Sequence, residues 1–321
     1  AFTKEQEKAI SSQARAVLVV AGPGSGKTTV LTERLVYLLK NATDSGSCLL
    51  LSFTRASSKE MDLRFRKRGL SGVSPHFSTI HALCLSLLKE GRGVGKENLV
   101  DLYEKMDWIS RYFLEQGISR EEVEELLPNY CNQISYFKSI TEEERLAFLR
   151  EEKNENFLPL FQYYEMMRKK RSKLDFEDLL IEVLLELQKN TDLAELWKRR
   201  YTHILVDEFQ DLSLIQYAIL KGLAERGASL FVVGDEDQSI YGFRVASPDI
   251  LFRFEKDFPF CEKIFLQDNF RSKEEIVELS SRLIGKNKER FRKNLFGRQG
   301  RGGRAKYYIV ESTAEEGRLI A

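Results

Sequence analysis

The stretch AVLVVAGPGSGKT, residues 16–28, decides the fold. Small and β-branched apolar residues run unbroken from Ala16 to Ala21 and stop at a glycine-rich turn that ends in Lys27 and Thr28. Such a run predicts a buried strand, a phosphate-cradling loop and a helix start. Gly22, Gly24 and Gly26 let the backbone curl so that successive N–H groups face inward, where a bound triphosphate also meets the positive end of the helix dipole. Lys27 then reaches the β- and γ-phosphates, and Thr28 offers its hydroxyl to Mg²⁺. Ala21 stands where the strict motif has Gly, a substitution of one small residue for another.

The totals set bounds on this reading. A chain of 321 residues has room for two domains, or for one large α/β domain with an insertion. With 42% hydrophobic and 31% charged residues it reads as a water-soluble globular protein. No apolar run approaches the roughly 18 residues of a membrane span, and no signal-peptide pattern is present. Cys48, Cys84, Cys131 and Cys261 lie far apart with no CxxC pair, which argues against zinc, iron–sulfur or disulfide frameworks and for a reducing cytoplasm. The net charge of +1 gives no global sign of a polyanion partner. The charges are nevertheless uneven: residues 101–155 carry fourteen acids against seven bases, and residues 282–306 carry ten bases with Glu289 as the one acid. Two readings stand for the basic stretch, a solvated face or a polyanion contact.

Upstream of the loop, FTKEQEKAI places Thr3 as a helix cap with Gln6 three residues on. Gln6 is then either the reciprocal partner of that cap or an amide that pairs with an adenine edge. Downstream, TVLTERLVYLLK has helical spacing, with Val30, Leu31, Leu35, Leu38 and Leu39 facing a core and Arg34 among them, pointing back at the base. Two further strand–helix repeats follow, CLLLSFT at 48–54 and HFSTI at 76–80, which predicts an α/β fold with a parallel sheet and right-handed crossovers. Ligands then belong at the carboxyl ends of the strands, where Phe53, Thr54, Thr79 and His81 suit contact with a phosphate backbone and a base face. For Thr79 and His81, helix capping and packing explain the residues equally well.

From residue 91 to about 173 the strand signal disappears and amphipathic helices follow, with breaks expected near Gly117, Pro128 and Pro159. This reads as an inserted all-helical subdomain, closed by RKKRSK at 168–173 as the solvated end of a helix. LDFEDLL then starts another helix with Asp175 as its cap. HILVDEFQD at 203–211 puts two acids where a buried strand meets the sheet's open edge. After a phosphate loop, that pattern points to Asp207 holding Mg²⁺ and Glu208 activating water. SLFVVGD at 229–235 leads to Gln238, a candidate γ-phosphate sensor, and to Tyr241, Phe243 and Arg244, a composition suited to stacking on unpaired bases.

Together FTKEQEKAI, AGPGSGKTT, SFTRASSKEM, STIHALC, LDFEDLL, LVDEFQD, VGDEDQSIYGFR and LQDNFRS resemble the UvrD/Rep-like branch of superfamily 1 DNA helicases, from Gln6 to at least Ser272. The resemblance implies a RecA-like P-loop NTPase sheet flanked by helices. Residues 1–88 and 174–269 would form the first motor domain, 89–173 the inserted helical subdomain and 270–321 the start of a second motor domain. It implies ATP and Mg²⁺ as cofactors, with Gln6, Gly22, Gly24, Ser25, Gly26, Lys27, Thr28, Thr29 and Arg34 at the nucleotide and Phe270 stacking on adenine. Thr28 and Asp207 would hold the metal. Lys27, Glu208, Gln238 and Arg271 would be catalytic. Phe53, Thr54, Thr79, His81, Tyr241, Phe243 and Arg244 would line the single-stranded DNA path. The implied activity is 3′-to-5′ translocation and unwinding at single/double-strand junctions in the cytoplasm. Alternatives are the motor of a helicase–nuclease and an ATP- and DNA-binding module that does not hydrolyse. Phe270 and Phe243 replace the tyrosine and tryptophan common there and keep an aromatic face. After one helix and a basic Gly/Arg loop, a strand AKYYIVES and a helix start lead to Ala321, so the reading expects a fragment of a longer protein.

Overall fold

The computed structural model describes residues 2–41, 43–70, 72–151, 156–239, 249–288, 290–304 and 306–320. The apolar run that opened the sequence reading is the central strand β1 (Ala16–Ala21), buried at every position. With β2 (Cys48–Ser52), β3 (His76–Thr79), β4 (His203–Val206), β5 (Ser229–Gly234) and β6 (Glu262–Leu266) it forms a sheet in the order β3-β2-β4-β5-β1-β6. Every pairing is parallel. All six carboxyl ends therefore open on one edge of the sheet.

Strand period two divides the sheet residues between two cores. Val17, Val19, Leu50, Leu205, Phe231 and Val233 pack under α1 (Lys4–Ser11), α2 (Lys27–Lys40) and α3 (Arg55–Arg66). Leu18, Val20, Leu49, Leu51, Val206 and Val232 pack under α4 (Ile80–Arg92) and helices that return later in the chain. Between them comes an excursion of α5 (Leu102–Glu115), α6 (Arg120–Ser139), α7 (Glu142–Arg150) and α8 (Phe157–Lys170), with its own core around Trp108, Ile134, Phe157 and Tyr164. The chain leaves and re-enters side by side, with Val100 N–H donating to the Leu174 carbonyl and Leu174 N–H to the Asn98 carbonyl, both at 2.8 Å. α9 (Phe176–Leu187), α10 (Asp192–Arg200), α11 (Leu214–Ala224) and α12 (Ile250–Asp257) complete the second face. Beyond the sheet, β7 (Asp268–Asn269), α13 (Glu274–Ile284), β8 (Phe296–Gly297) and α14 (Thr313–Ile320) follow, and β7 pairs with β8 in parallel.

Three local expectations are corrected. β6 is a strand that the sequence reading did not include; it is an edge strand, covered on one side only, and its opening Glu262 and Lys263 hide the pattern. Pro128 does not break α6, because it sits on an exposed face where its missing N–H and the freed carbonyl meet water. The break expected near Pro159 is met: α7 ends at Arg150, α8 begins at Phe157, and Pro159 falls in its first turn, where no N–H is needed. Lys306–Val310 carries no strand: Tyr307 and Ile309 are 86% and 82% exposed, and β propensity without a neighbouring strand forms no ladder.

Candidate active site and nucleic-acid interface

The loop between β1 and α2 is held one carbonyl at a time, three of the four from outside. The Gly22 carbonyl accepts from Ser25 Oγ at 2.7 Å, that of Pro23 from Asn269 Nδ2 at 2.7 Å, that of Gly24 from Phe270 N–H at 2.9 Å, and that of Ser25 from Gln6 Nε2 at 3.0 Å. Gly22 N–H donates to the Leu266 carbonyl, Ser25 N–H to that of Gly22, and Pro23 has none, so with four successive carbonyls engaged the N–H groups of Gly24 and Gly26 are left to the loop's interior. Gly24 and Gly26 have φ of 65° and 83°, the left-handed values that produce such a nest. A Cβ on Gly24 would come within 2.7 Å of Arg271 Cβ. No side chain caps α2, so its first N–H groups, those of Lys27, Thr28 and Thr29, extend the anion cradle.

Gln6 is the reciprocal partner of the cap and makes a second contact that neither reading foresaw. Its Oε1 accepts from Thr3 N–H at 3.0 Å in the capping box, and its Nε2 ties the phosphate loop. Arg34 is buried beneath α1, donating to the Ile10 carbonyl at 2.8 Å, near the Phe231 and Tyr37 rings. Burial lowers its pKa against the opposing pull of Tyr37 and Glu262. Phe270 hangs by its backbone from the loop with its ring half-exposed, and Arg271 follows on the same turn, whose N–H groups Asn269 Oδ1 accepts.

β4 delivers the acids. Asp207 Oδ2 accepts from Thr28 Oγ1 at 3.3 Å, and Glu208 Oε2 lies 3.4 Å from Lys27 Nζ. Burial pushes the Asp207 carboxyl up to about 6, aided by Glu208 and opposed by Lys27. Asp211 is also pushed up to about 6, by burial and then Glu208, and its Oδ1 has no hydrogen-bond partner among the described residues. Among the described residues, three carboxylates surround one lysine here, which leaves them short of positive charge. A buried hydroxyl–carboxylate pair in such a pocket is a hard-oxygen donor set of the kind that suits Mg²⁺. β5 places Asp235 and then Gln238, whose Nε2 donates to Asp235 Oδ2. Gln210, which sequence reasoning passed over, links the two strands: its Oε1 accepts from Asp235 N–H at 3.0 Å and its Nε2 donates to Glu208 Oε2 at 2.9 Å.

Three and four strand positions away from β1 along the same edge, roughly 14 and 19 Å at standard spacing, β2 and β3 end in the nucleic-acid candidates. Thr54 caps α3, accepting from Ser57 N–H at 3.1 Å, and Thr79 caps α4, accepting from Ala82 N–H at 3.4 Å. Phe53 lies between β2 and that cap. His81 meets Phe176 edge-on, with ring centroids 5.9 Å apart, and burial pushes its pKa down to about 4. Tyr241, Phe243 and Arg244 lie outside the described residues. The structure thus gathers Lys27, Thr28, Asp207, Glu208 and Gln238 at the ends of β1, β4 and β5, and Phe53, Thr54, Thr79 and His81 beside them at β2 and β3. Asn269 and Asp235 were also passed over. Each stands inside a quoted motif at a strand end, but the partners that give it a role, Gln210 for Asp235 and Pro23 for Asn269, lie far along the chain.

A parallel sheet whose carboxyl edge carries an anion nest, a lysine–glutamate pair and a threonine–aspartate pair defines a P-loop nucleotide-binding protein with a RecA-like fold. Residues 2–259 match the family described as the UvrD/REP helicase N-terminal domain, and the chain belongs to that family. It is 32% identical over 299 residues to YjcD of Bacillus subtilis, covering 91% of this chain and 39% of the relative. It is 32% identical over 339 residues to the ATP-dependent DNA helicase UvrD1 of Mycobacterium tuberculosis, covering 99% and 43%. It is 29% identical over 327 residues to the ATP-dependent DNA helicase PcrA of Staphylococcus epidermidis, covering 99% and 45%. The chain therefore spans less than half the length of these relatives. No helix among the described residues is long and apolar enough to cross a membrane.

Proposed function

We propose that the chain carries the ATP-hydrolysing site and part of the DNA path of a 3′-to-5′ single-stranded DNA translocase or helicase that works in the cytoplasm at single/double-strand junctions. The observation that carries the reading is the phosphate loop with its four engaged carbonyls, set against the Lys27–Glu208 and Thr28–Asp207 pairs. The N–H groups of Gly24, Gly26 and the first turn of α2, Lys27 to Thr29, bind the triphosphate, and Lys27 neutralises the β- and γ-oxygens. Glu208, half-exposed and oriented by Gln210, accepts the proton of the attacking water. Gln238 and Arg271 address the γ-phosphate, and Gln6, Arg34 and Phe270 the adenine. Thr28 and Asp207 would hold Mg²⁺, which supplies charge neutralisation to the phosphates when bound. Phe53, Thr54, Thr79 and His81, together with Tyr241, Phe243 and Arg244, line the strand path. The four cysteines form no disulfide, which agrees with a reducing compartment. The helices of residues 89–173, with their separate core, make a subdomain inserted between 1–88 and 174–269, and 270–321 open the next unit.

The test measures MgATP binding and hydrolysis by the chain, with and without single-stranded DNA, beside Glu208→Gln. The expected result is ATP binding in both proteins and DNA-stimulated hydrolysis only with Glu208 present. A chain that binds no ATP, or a Glu208→Gln protein that hydrolyses at the unsubstituted rate, overturns the assignment.

A further inference from the structure

The basic stretch between Arg282 and Lys306 is not wholly a solvated face. The Lys293 side chain is 1% exposed and meets all three acids of the turn after β5: Asp235 Oδ1, Glu236 Oε2 at 3.1 Å and Asp237 Oδ2 at 3.0 Å. Arg290 takes both oxygens of Asp237, at 3.1 and 2.6 Å, and Phe291 N–H donates to Glu236 Oε1 at 3.0 Å. Further on, Leu295 lies over Gly22, where an added Cβ would come within 2.4 Å of its Cδ2. Phe296 and Gly297 then pair with Asp268 and Asn269. Residues 290–297 are thus a strap across the phosphate loop. One end is pinned to the turn that carries Gln238, the other to the strand that leads into Phe270 and Arg271.

Asp235 is the junction of this strap with the site. It is 0% exposed, so no water compensates its charge and the cation must come from the protein. One oxygen takes Lys293 and the other accepts from Gln238 Nε2. Its N–H reaches Gln210, Gln210 reaches Glu208, and Glu208 faces Lys27. Burial works against the Lys293 ammonium, but Asp235, then Glu236 and Asp237, outweigh it and the pKa is raised, so the side chain stays a cation. Arg290 balances Asp237 and leaves Lys293 to Asp235 and Glu236.

We infer that Lys293 is a positioning residue for the γ-phosphate end of the site: by fixing Asp235 it orients Gln238 and Gln210, and so makes nucleotide affinity depend on whether the third phosphate is present. The inference rests on the nucleotide-binding reading proposed above. The first two phosphates fall to the loop itself, whose carbonyls are held by Ser25, Asn269, Phe270 and Gln6 and not by Lys293. Removing the lysine therefore releases Asp235 and Gln238 while sparing the diphosphate cradle. A merely structural loss would weaken both nucleotides alike.

The experiment is equilibrium binding of ADP and of the non-hydrolysable analogue AMP-PNP, each with Mg²⁺, followed alongside thermal unfolding. It compares the chain with Lys293→Met, Lys293→Arg and the Lys293→Met/Asp235→Asn pair. The unsubstituted chain is expected to prefer AMP-PNP. In Lys293→Met that preference falls roughly tenfold while ADP affinity holds within about twofold, and Lys293→Arg retains it. The paired variant removes the most buried charge together with its partner and leaves only Glu236 to be compensated, so it recovers part of the lost melting temperature without recovering the preference, which keeps the test valid if Lys293→Met folds poorly. Equal losses for both nucleotides, an unaltered preference in a folded variant, or no preference in the unsubstituted chain overturns the inference. A chain that binds neither nucleotide overturns the proposed function instead, and this inference with it.

Discussion

Glu208 occupies left-handed backbone space, with φ 48° and ψ 47°, at the point where β4 turns into the short 3₁₀ turn Phe209–Asp211. For a residue with a Cβ that conformation costs about 1–2 kcal/mol. Its carboxylate also raises the pKa of buried Asp207. Glu208→Gly relieves both penalties against a backbone-entropy cost of about 0.5–1 kcal/mol. The variant should unfold at or above the unsubstituted temperature in calorimetry while losing ATP hydrolysis; a clear drop in melting temperature would contradict the strain argument. Lys27 has no such latitude. Among the described residues, Lys27→Ala removes the one cation beside Asp207, Glu208 and Asp211, and it should lower steady-state turnover roughly a hundredfold or more.

His81 gives a pH signature at the same scale. Burial holds its folded pKa at about 4, below the ordinary 6.5, so the folded state keeps the ring neutral while the unfolded chain binds a proton. Its contribution is complete above pH 6.5 and is lost as pH falls from 6.5 toward 4, on the order of 3 kcal/mol at most. Urea unfolding between pH 4 and 7 should show that slope, and His81→Gln should flatten it. The same neutrality means that at pH 7 His81 offers a strand a ring and a hydrogen bond, and no positive charge. Composition could not reveal this, because the shift comes from packing against residues far along the chain, Phe176 among them.

At the scale of elements, the helical excursion is rooted to α9 by buried charge. Lys138 on α6 meets Asp175 and Asp178, both at 2.6 Å, and Glu165 at 3.0 Å, while Arg168 on α8 adds Glu165 and Asp178. Tyr164 Oη donates to Asp175 at 3.2 Å. Burial first and then Asp175 push the Asp178 carboxyl up to about 6, whereas Lys138 outweighs burial at Asp175 and holds it below the ordinary value. Lys138→Met leaves three carboxylates with Arg168 alone and should cost about 3–5 kcal/mol in denaturant unfolding. A cost within 1 kcal/mol would mean that the apolar contacts of α6 with α9 hold the root by themselves.

This root also marks what local reading reaches. Strands β1, β2, β4 and β5 are legible because burial on both faces leaves continuous apolar runs, and the Asp175 cap is legible because its box partner Asp178 sits three residues on. Arg168 was grouped with a solvated RKKRSK end, and Lys293 with a basic run. In both cases the acids that turn the side chain inward come from another element, so charge patterning along the chain carries no trace of them. The candidate site divides in the same way. Its strand-end residues stand in contiguous motifs, while Gln210, Asp235 and Asn269, which join one motif to the next, show their role only once the sheet is assembled.

For the whole molecule, the parallel sheet puts both candidate sites on one edge and joins them mechanically. Asp207 N–H donates to the Leu51 carbonyl at 2.9 Å, two residues before Phe53, and Ser52 Oγ donates to the Thr54 carbonyl at 3.0 Å. The turn that holds the acid pair thus shares a backbone bond with the strand that presents the nucleic-acid candidates. A shift of Asp207 and Glu208 toward a bound triphosphate moves the end of β2, and a strand seated on Phe53 and Thr54 resists or assists that shift. Coupling of this kind is reciprocal in free energy, so AMP-PNP must alter single-stranded DNA affinity by the same factor by which DNA alters AMP-PNP affinity, commonly about 5- to 150-fold. Two fluorescence titrations on this chain, each repeated with the other ligand saturating, measure both factors. Factors near one in both directions would show two independent sites on a rigid edge, and translocation would then need its coupling from elsewhere in the protein.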